Sequence, residues 1–497
     1  MENRNSLGKP LFLDKEWHLN EMNVRAAWKK NITGKNITVC VVDNGIFYNP
    51  DLEIKETKVN PIIEDINLII TGQDYTHGTA VAGIIAAKGN KYTIGIAYNC
   101  KLVGYNYLGS LNVTDKYPLP DFILDNNNKI DIFNNSWGPI QTSPNKHSDK
   151  TLEIIKAIKL SSKKGRDKKG NLFVFASGND NLRGGLASYV LLKNSRYTIT
   201  VGAINSNLDN STYSSIGTAV LCVAPAGNDV SNITRVVRTS IVTYVDQFGI
   251  TTTLPYTRKL GKSGLIPYTH DMNGTSASCP MVTGCIALLL SYRHDLTWRD
   301  VKELISRSCY QDYFENDTVP NFIINGRKQL VSQRSGYGII NVKKLIRNAK
   351  KWTLLPKEKK IHQEKELNIT LNQENRTFSV TFDIDKKITI ETVQVYLTVN
   401  SNPAVLPQLI LNMKVNLISP DGTNLILINN QSGFVGTESF VIESDLQYYD
   451  NEPFLCELLR GENSQGTWTV QFTWNLITEF PSAINILKHI KLDIYGH

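Results

Sequence analysis

Asn273-Gly274-Thr275-Ser276-Ala277-Ser278-Cys279-Pro280 leads directly into Met281-Val282-Thr283-Gly284-Cys285-Ile286-Ala287-Leu288-Leu289-Leu290. Gly274 allows the backbone a tight turn. The residues beyond it are apolar on nearly every helical face, the pattern of a core helix, which is predicted over Ser276–Arg293. Pro280 suits a first helical turn, where its missing N–H costs nothing. Ser276 then sits at the mouth of a buried helix, at the positive end of its dipole. Negative charge is stabilised there, which suits a serine that attacks a carbonyl and leaves an oxyanion. On these residues alone a helix-capping serine is the simpler reading.

A serine nucleophile needs a base, and the base needs an acid to orient it. Ile37-Thr38-Val39-Cys40-Val41-Val42-Asp43-Asn44-Gly45 opens with a β-branched run that predicts a buried strand. It would deliver Asp43 at its C-terminal edge, where open α/β sheets carry their sites. His77-Gly78-Thr79-Ala80-Val81-Ala82-Gly83-Ile84-Ile85-Ala86-Ala87 places a histidine at the start of a small-residue helix that can pack close to a sheet. Taken singly, Asp43 could be a cap and His77 a surface histidine. The order Asp, His, Ser in these three neighbourhoods is much harder to produce by chance.

That order resembles the subtilisin-like serine proteases. Asn171-Leu172-Phe173-Val174-Phe175-Ala176-Ser177-Gly178-Asn179 adds a fourth element, similar to the strand that ends in the family's oxyanion-hole asparagine, here Asn179. Such an amide donor is worth about 10²–10³ in rate. Further segments resemble the kexin/furin branch, the proprotein convertases. They are Glu16-Trp17-His18-Leu19, Asn23-Val24-Arg25-Ala26-Ala27-Trp28, Ser136-Trp137-Gly138-Pro139, Leu296–Val301 and Ser335–Asn341. The resemblance implies a serine endopeptidase in which Ser276 attacks, His77 moves the proton, Asp43 orients His77 and Asn179 donates to the oxyanion. It also implies that Ser136, Trp137 and Gly138, with Ala176, Ser177 and Gly178, flank the substrate's P1 side chain, and that Asp74 is an acid of the S2 subsite. Calcium is implied by the family, with Asp51 and Asn90 as the matching ligands. A peptide or protein substrate, and a pro-segment outside this sequence, are the partners it implies. A binding or regulatory protein on the same scaffold is the alternative, although such a protein has no chemical need for all four groups.

Up to about Ala349, strand-like runs alternate with helical ones, which predicts an α/β domain with a doubly wound parallel sheet over residues 1–350. The charged segment 351–366, with Pro356, reads as a linker. From Leu367 the pattern has period two, in Phe378–Ile384, Ile388–Val395, Met413–Ile418 and Trp468–Trp474. An antiparallel β-sandwich is expected over 367–497. Leu417–Thr423, Gly466–Trp468 and Leu492–Gly496 resemble the convertase P domain; a generic binding sandwich is the alternative.

The sequence departs from the convertases where these place acids for paired basic residues. Gln141, Gly185 and Val190 stand at the matching S1 positions, and Asn44 follows the aspartate. A buried arginine needs a carboxylate, so a neutral pocket with an apolar or small P1 residue is expected. Asp149 and Asp180 are the remaining acids nearby. The segment 229–271 is long, and a hairpin of Arg238–Val245 with Gly249–Leu254 is expected in it.

The chain has 497 residues, enough for two or more cores, and a formal charge of +8 with scattered lysines, which excludes a concentrated nucleic-acid footprint. Seven cysteines leave at least one unpaired. Cys279 lies close enough to the nucleophile to invite thiol reagents. No run of about eighteen apolar residues predicts a transmembrane helix, and Met1–Ser6 lacks the apolar core of a signal peptide. The resemblance implies the secretory pathway or the extracellular space; the missing signal and disulfide pattern leave a cytoplasmic location as the alternative.

Overall fold

The structure, a computed structural model, describes residues 16–54, 76–109, 117–139, 147–227, 249–256, 267–311, 322–371, 377–401, 413–429, 448–474 and 485–497. Strands β1 (Thr38–Asp43), β2 (Lys101–Asn106), β3 (Ile132–Asn135), β4 (Leu172–Ala176), β5 (Thr198–Ile204) and β6 (Val220–Pro225) pair in parallel in the order β2-β1-β3-β4-β5-β6. Ile339–Ile340 and then Cys309–Tyr310 extend the β6 edge, the last strand antiparallel.

Side chains alternate across a strand, and β1 shows the result. Val39 and Val41 join one apolar cluster, Cys40 and Val42 the other. The histidine helix, His77–Ala86, and the serine helix, Thr275–Tyr292, belong to the first. Helices Leu119–Asp125 and Asp149–Lys164 close the second. The sheet is therefore wound on both faces. Leu288, Leu289 and Leu290 of the serine helix are fully buried, each contributing about 1.5–3 kcal/mol. Among the described residues this helix alone has the length and apolarity to cross a membrane, and it is buried inside the domain.

The chain leaves β2 on one side of β1 and enters β3 on the other. The carboxyl ends of strands beside such a switch point are where open α/β sheets bind ligands. Asp43 ends β1 there, and Ser136 follows β3.

Two four-stranded antiparallel sheets form the C-terminal sandwich. One has the order Lys359–Leu371, Asn485–Gly496, Ile390–Ser401, Tyr448–Cys456; the other Thr377–Ile384, Gly466–Trp474, Met413–Ile418, Asn424–Ile428. Phe382, Leu417, Trp468 and Phe472 fill the space between them, and their apolar cluster runs on into that of the α/β domain.

The expectations for a linker, for Pro280 and for Cys279 change. The segment expected as a linker over 351–366 becomes strand from Lys359, because pairing with the C-terminal strand overrides its charged composition. Pro280 lies in the second turn of the serine helix, not the first, five positions beyond its start at Thr275. Ile250–Thr253 pairs with Tyr268–Met272; the other expected hairpin arm, 238–245, lies outside the described residues. Thr252 Oγ1 and Thr253 Oγ1 donate to the Ala80 and Thr79 carbonyls at 2.5 and 2.7 Å, which fixes this strand against the histidine helix. All seven cysteines are free thiols. Cys279 is fully buried and burial pushes its thiol up to about 12, so it lacks the thiolate and the access that reagents require.

Candidate active site

Asp43 is fully buried at the end of β1, and its Oδ1 lies 2.8 Å from His77 Nδ1 at the start of the histidine helix. The same oxygen accepts the Asn44 N–H at 2.8 Å. A carboxylate oxygen only accepts, so Nδ1 carries a ring proton, and in the neutral ring Nε2 keeps the lone pair. Gly78 makes this approach possible. A Cβ there would meet the Gly45 carbonyl oxygen at 2.3 Å. The Gly78 N–H is capped by Asn44 Oδ1 at 2.8 Å, so the amide beside the aspartate serves the helix end.

Ser276 is the second residue of the serine helix, and its Oγ donates to the Ser136 carbonyl at 3.0 Å. Gly274 enters the helix at φ 78°, a conformation that favours glycine. Asn179 stands beside this turn. Its Oδ1 accepts the Thr275 N–H and the Thr275 hydroxyl, both at 2.9 Å. Thr275 Oγ1 in turn accepts the Gly178 N–H at 3.2 Å. With Oδ1 committed to Thr275, the NH₂ of Asn179 is the end left to meet a ligand.

A cavity of about 730 Å³ opens next to Ser276. Ser136, Trp137, Gly138, Ala176, Gly178 and Asn179 line it, so the segments expected to flank P1 do face one space. Ser177 is fully buried behind it, with its hydroxyl 3.5 Å from that of Ser214. Val190 and Asp180 also line the cavity, while Asp149 opens the helix Asp149–Lys164. Asp74 and Gln141 lie outside the described residues. Lys193 lines the cavity and was not singled out by sequence reasoning. Neither was His147, which reaches from the cavity wall to Glu452 of the sandwich at 2.9 Å.

Residues 34–338 match the subtilase family, and residues 390–476 match the proprotein convertase P-domain. The chain belongs to the subtilase family. Its relatives place it in the kexin/furin branch. It is 30% identical to human proprotein convertase subtilisin/kexin type 6 over 96% of this chain and 46% of that protein. It is 32% identical to kexin of Saccharomyces cerevisiae over 71% of this chain and 41% of that one. The chain thus spans about half the length of the curated relatives it matches. The serine protease of Aeromonas sobria has the same fold, with a TM-score of 0.78 at 22% identity, covering 99% of this chain and 96% of the other.

The position where a subtilase of this branch would hold calcium does not fit the ion. Asp51 is buried, and its Oδ1 accepts the Asn90 and Lys91 N–H groups at 2.9 and 2.8 Å. Its Oδ2 accepts those of Tyr92 and Thr93 at 2.7 and 3.2 Å. Glu16 Oε1 takes the Ile94 N–H and the Thr93 hydroxyl at 2.9 and 2.6 Å. A calcium site needs oxygens turned inward, whereas this loop turns five successive N–H groups onto two carboxyl groups. Asn90 contributes through its backbone N–H. Burial pushes the Glu16 carboxyl up to about 8.

Proposed function

We propose that this chain is a serine endopeptidase of the proprotein-convertase type, acting on peptide or protein substrates. The observation that carries the reading is the 2.8 Å contact between buried Asp43 and His77 at the switch point of the sheet, taken together with a cavity bordered by Ser276 and Asn179.

Attack requires Ser276 Oγ to leave the Ser136 carbonyl and give its proton to His77 Nε2. The imidazolium so formed is stabilised by Asp43, which remains ionised. The carbonyl oxygen of the scissile bond becomes an oxyanion. The Asn179 NH₂ and a backbone N–H at the start of the serine helix donate to it, and the helix dipole adds to their field. His77 then protonates the leaving amine. Water, deprotonated by the same imidazole, releases the acyl group from Ser276. The substrate's P1 side chain would lie between Ser136–Gly138 and Ala176–Gly178.

Labelling of the intact chain with a fluorophosphonate tests this reading. Labelling that is lost in Ser276→Ala, together with peptide-bond hydrolysis that is lost with it, is expected. A chain that binds peptides yet neither labels nor cleaves would be a binding protein, and the reading would fail.

A further inference from the structure

Lys193 lies between Asn179 and β5, and it is 3% exposed. A Cβ built on Gly138 would meet its Cε at 2.8 Å and its Nζ at 3.0 Å, and one built on Gly178 would meet the Nζ at 3.0 Å. The ammonium therefore sits between the two segments that flank the P1 side chain. Among the described residues it has neither a hydrogen bond nor an ion pair. Asp180 borders the same cavity, but it is only partly buried and acts on Lys193 from a longer range. Burial raises the Asp180 carboxyl, and both Lys193 and Arg183 pull it down, so one carboxylate answers two cations. Burial also lowers the Lys193 ammonium to about 8, against the pull of Asp180.

The backbone that carries it is fixed. The Lys193 carbonyl accepts Thr200 Oγ1 at 2.7 Å, and its N–H donates to Val190 at 2.8 Å. The next residue, Asn194, is held by the sandwich, which supplies the Leu455 N–H at 2.8 Å and the Pro453 carbonyl. Lys193 is thus a desolvated cation on a rigid support, pointing at the space a substrate side chain would fill. Such a charge is destabilised until a partner arrives. An incoming carboxylate would complete a charge-assisted hydrogen bond. An arginine would bring a second cation against it, and a leucine would leave it buried and unpaired.

We infer that Lys193 makes this cavity select an acidic P1 residue, so that the chain cuts after glutamate or aspartate; the inference rests on the endopeptidase reading above. It replaces the neutral pocket expected from Gln141, Gly185 and Val190. The charge comes from a residue three positions beyond Val190 whose side chain folds back into the same space.

The test uses the full chain and peptides that differ only at P1, carrying Glu, Gln, Leu, Ala or Arg. Fluorophosphonate labelling of Ser276 is measured in parallel, because it reports the nucleophile whatever fills the cavity. Glu should exceed its isostere Gln by about 10- to 100-fold in kcat/KM, the range for a hydrogen bond to a charged group. Lys193→Met keeps the volume and removes the charge, so the Glu preference should collapse. Lys193→Glu should turn the preference toward Arg. A chain that labels but cuts the Gln, Leu, Ala or Arg peptide as fast as the Glu peptide overturns the inference and leaves the endopeptidase reading standing. So does a Lys193→Met variant that still prefers Glu. A chain that neither labels nor cuts any of the peptides overturns both. The Glu-to-Gln comparison needs no variant to fold.

Discussion

Ser136 and Ser276 exchange two hydrogen bonds: Ser276 Oγ donates to the Ser136 carbonyl at 3.0 Å, and Ser136 Oγ donates to the Ser276 carbonyl at 3.1 Å. The second bond has a cause in the sequence. In a regular helix the Ser276 carbonyl would accept the N–H of residue 280. Pro280 has none, so the carbonyl is orphaned and Ser136 takes it. Ser136 Oγ is itself held by Asn134 Nδ2 at 3.0 Å. Ser136→Ala should therefore lower stability by about 1 kcal/mol and reduce kcat more than it changes KM. In the Ser136→Ala background, Pro280→Ala restores a donor for that carbonyl. The two substitutions should couple by about 0.5–1.5 kcal/mol in thermal or urea unfolding. Purely additive costs would show that the Ser276 carbonyl does not depend on Ser136.

Asn179 is oriented by Thr275, through two bonds to its Oδ1. Asn179→Ala should lower kcat by about 10²–10³ with little change in KM, because the donor acts on charge that develops only in the transition state. Asn179→Asp keeps the shape but presents an acceptor, and it should lose at least as much. Thr275→Val, which removes the hydroxyl bond and leaves the backbone one, should fall between these variants and the wild type. A turnover number unchanged in Asn179→Ala would show that this amide does not face the oxyanion.

Much of the site could be read from residues whose effect is local. The β-branched run into Asp43 and the small-residue helix after His77 each carry a local apolar signal. So does the apolar helix after Ser276. The alternating strands of the sandwich were legible for the same reason. Lys193 was not, since nothing near it forms a motif. Its backbone is held by Thr200 and Val190, and the adjacent Asn194 by Pro453 and Leu455, residues far away in the chain. The loop facing Asp51 was equally opaque. Sequence gives Asn90 to Ile94 but not whether their N–H or C=O groups turn inward, and that choice decides between a carboxylate nest and a cation site.

The carboxylate nest predicts an insensitivity and a sensitivity. Chelation with EGTA, or added calcium, should leave the melting temperature of the full chain unchanged. A drop on chelation would mean that the loop binds the ion after all. Asp51→Asn should lower stability markedly, because its NH₂ would face two N–H donors in a buried place, at about 1–3 kcal/mol for each orphaned group.

Glu16 adds a pH dependence. Its carboxyl is raised by burial from 4.5 to about 8 in the folded chain. The folded state then holds a proton that the unfolded state has lost, so its contribution is present below about 4.5 and disappears as pH rises through about 8. The wild type should lose stability relative to Glu16→Gln between pH 5 and 8. Parallel melting-temperature profiles for the two proteins over that window would show that Glu16 is already ionised in the fold.

Lys302 Nζ lies 2.7 Å from Glu457 Oε1, across the boundary between the α/β domain and the sandwich, with both side chains 1% exposed. The ammonium spends its other two protons on the Arg196 and Thr198 carbonyls, each at 2.9 Å. Glu457 Oε2 accepts Arg460 at 2.8 and 2.6 Å. Glu303 next to Lys302 accepts Arg327 and Arg307 at 2.8 and 2.7 Å. Burial without these partners would strand several charges. Lys302→Met should cost about 3–5 kcal/mol, the range for breaking one side of a buried pair. Lys302→Met with Glu457→Leu should recover much of that, although Arg460 then relies on Glu303. Ending the chain after Lys351 removes Glu457 and Arg460 and uncovers the apolar cluster shared with the sandwich. The shortened chain should melt well below the full one or aggregate on expression. A truncated protein that is soluble, with the melting temperature of the full chain, would show that the sandwich is tethered to the domain rather than completing its fold.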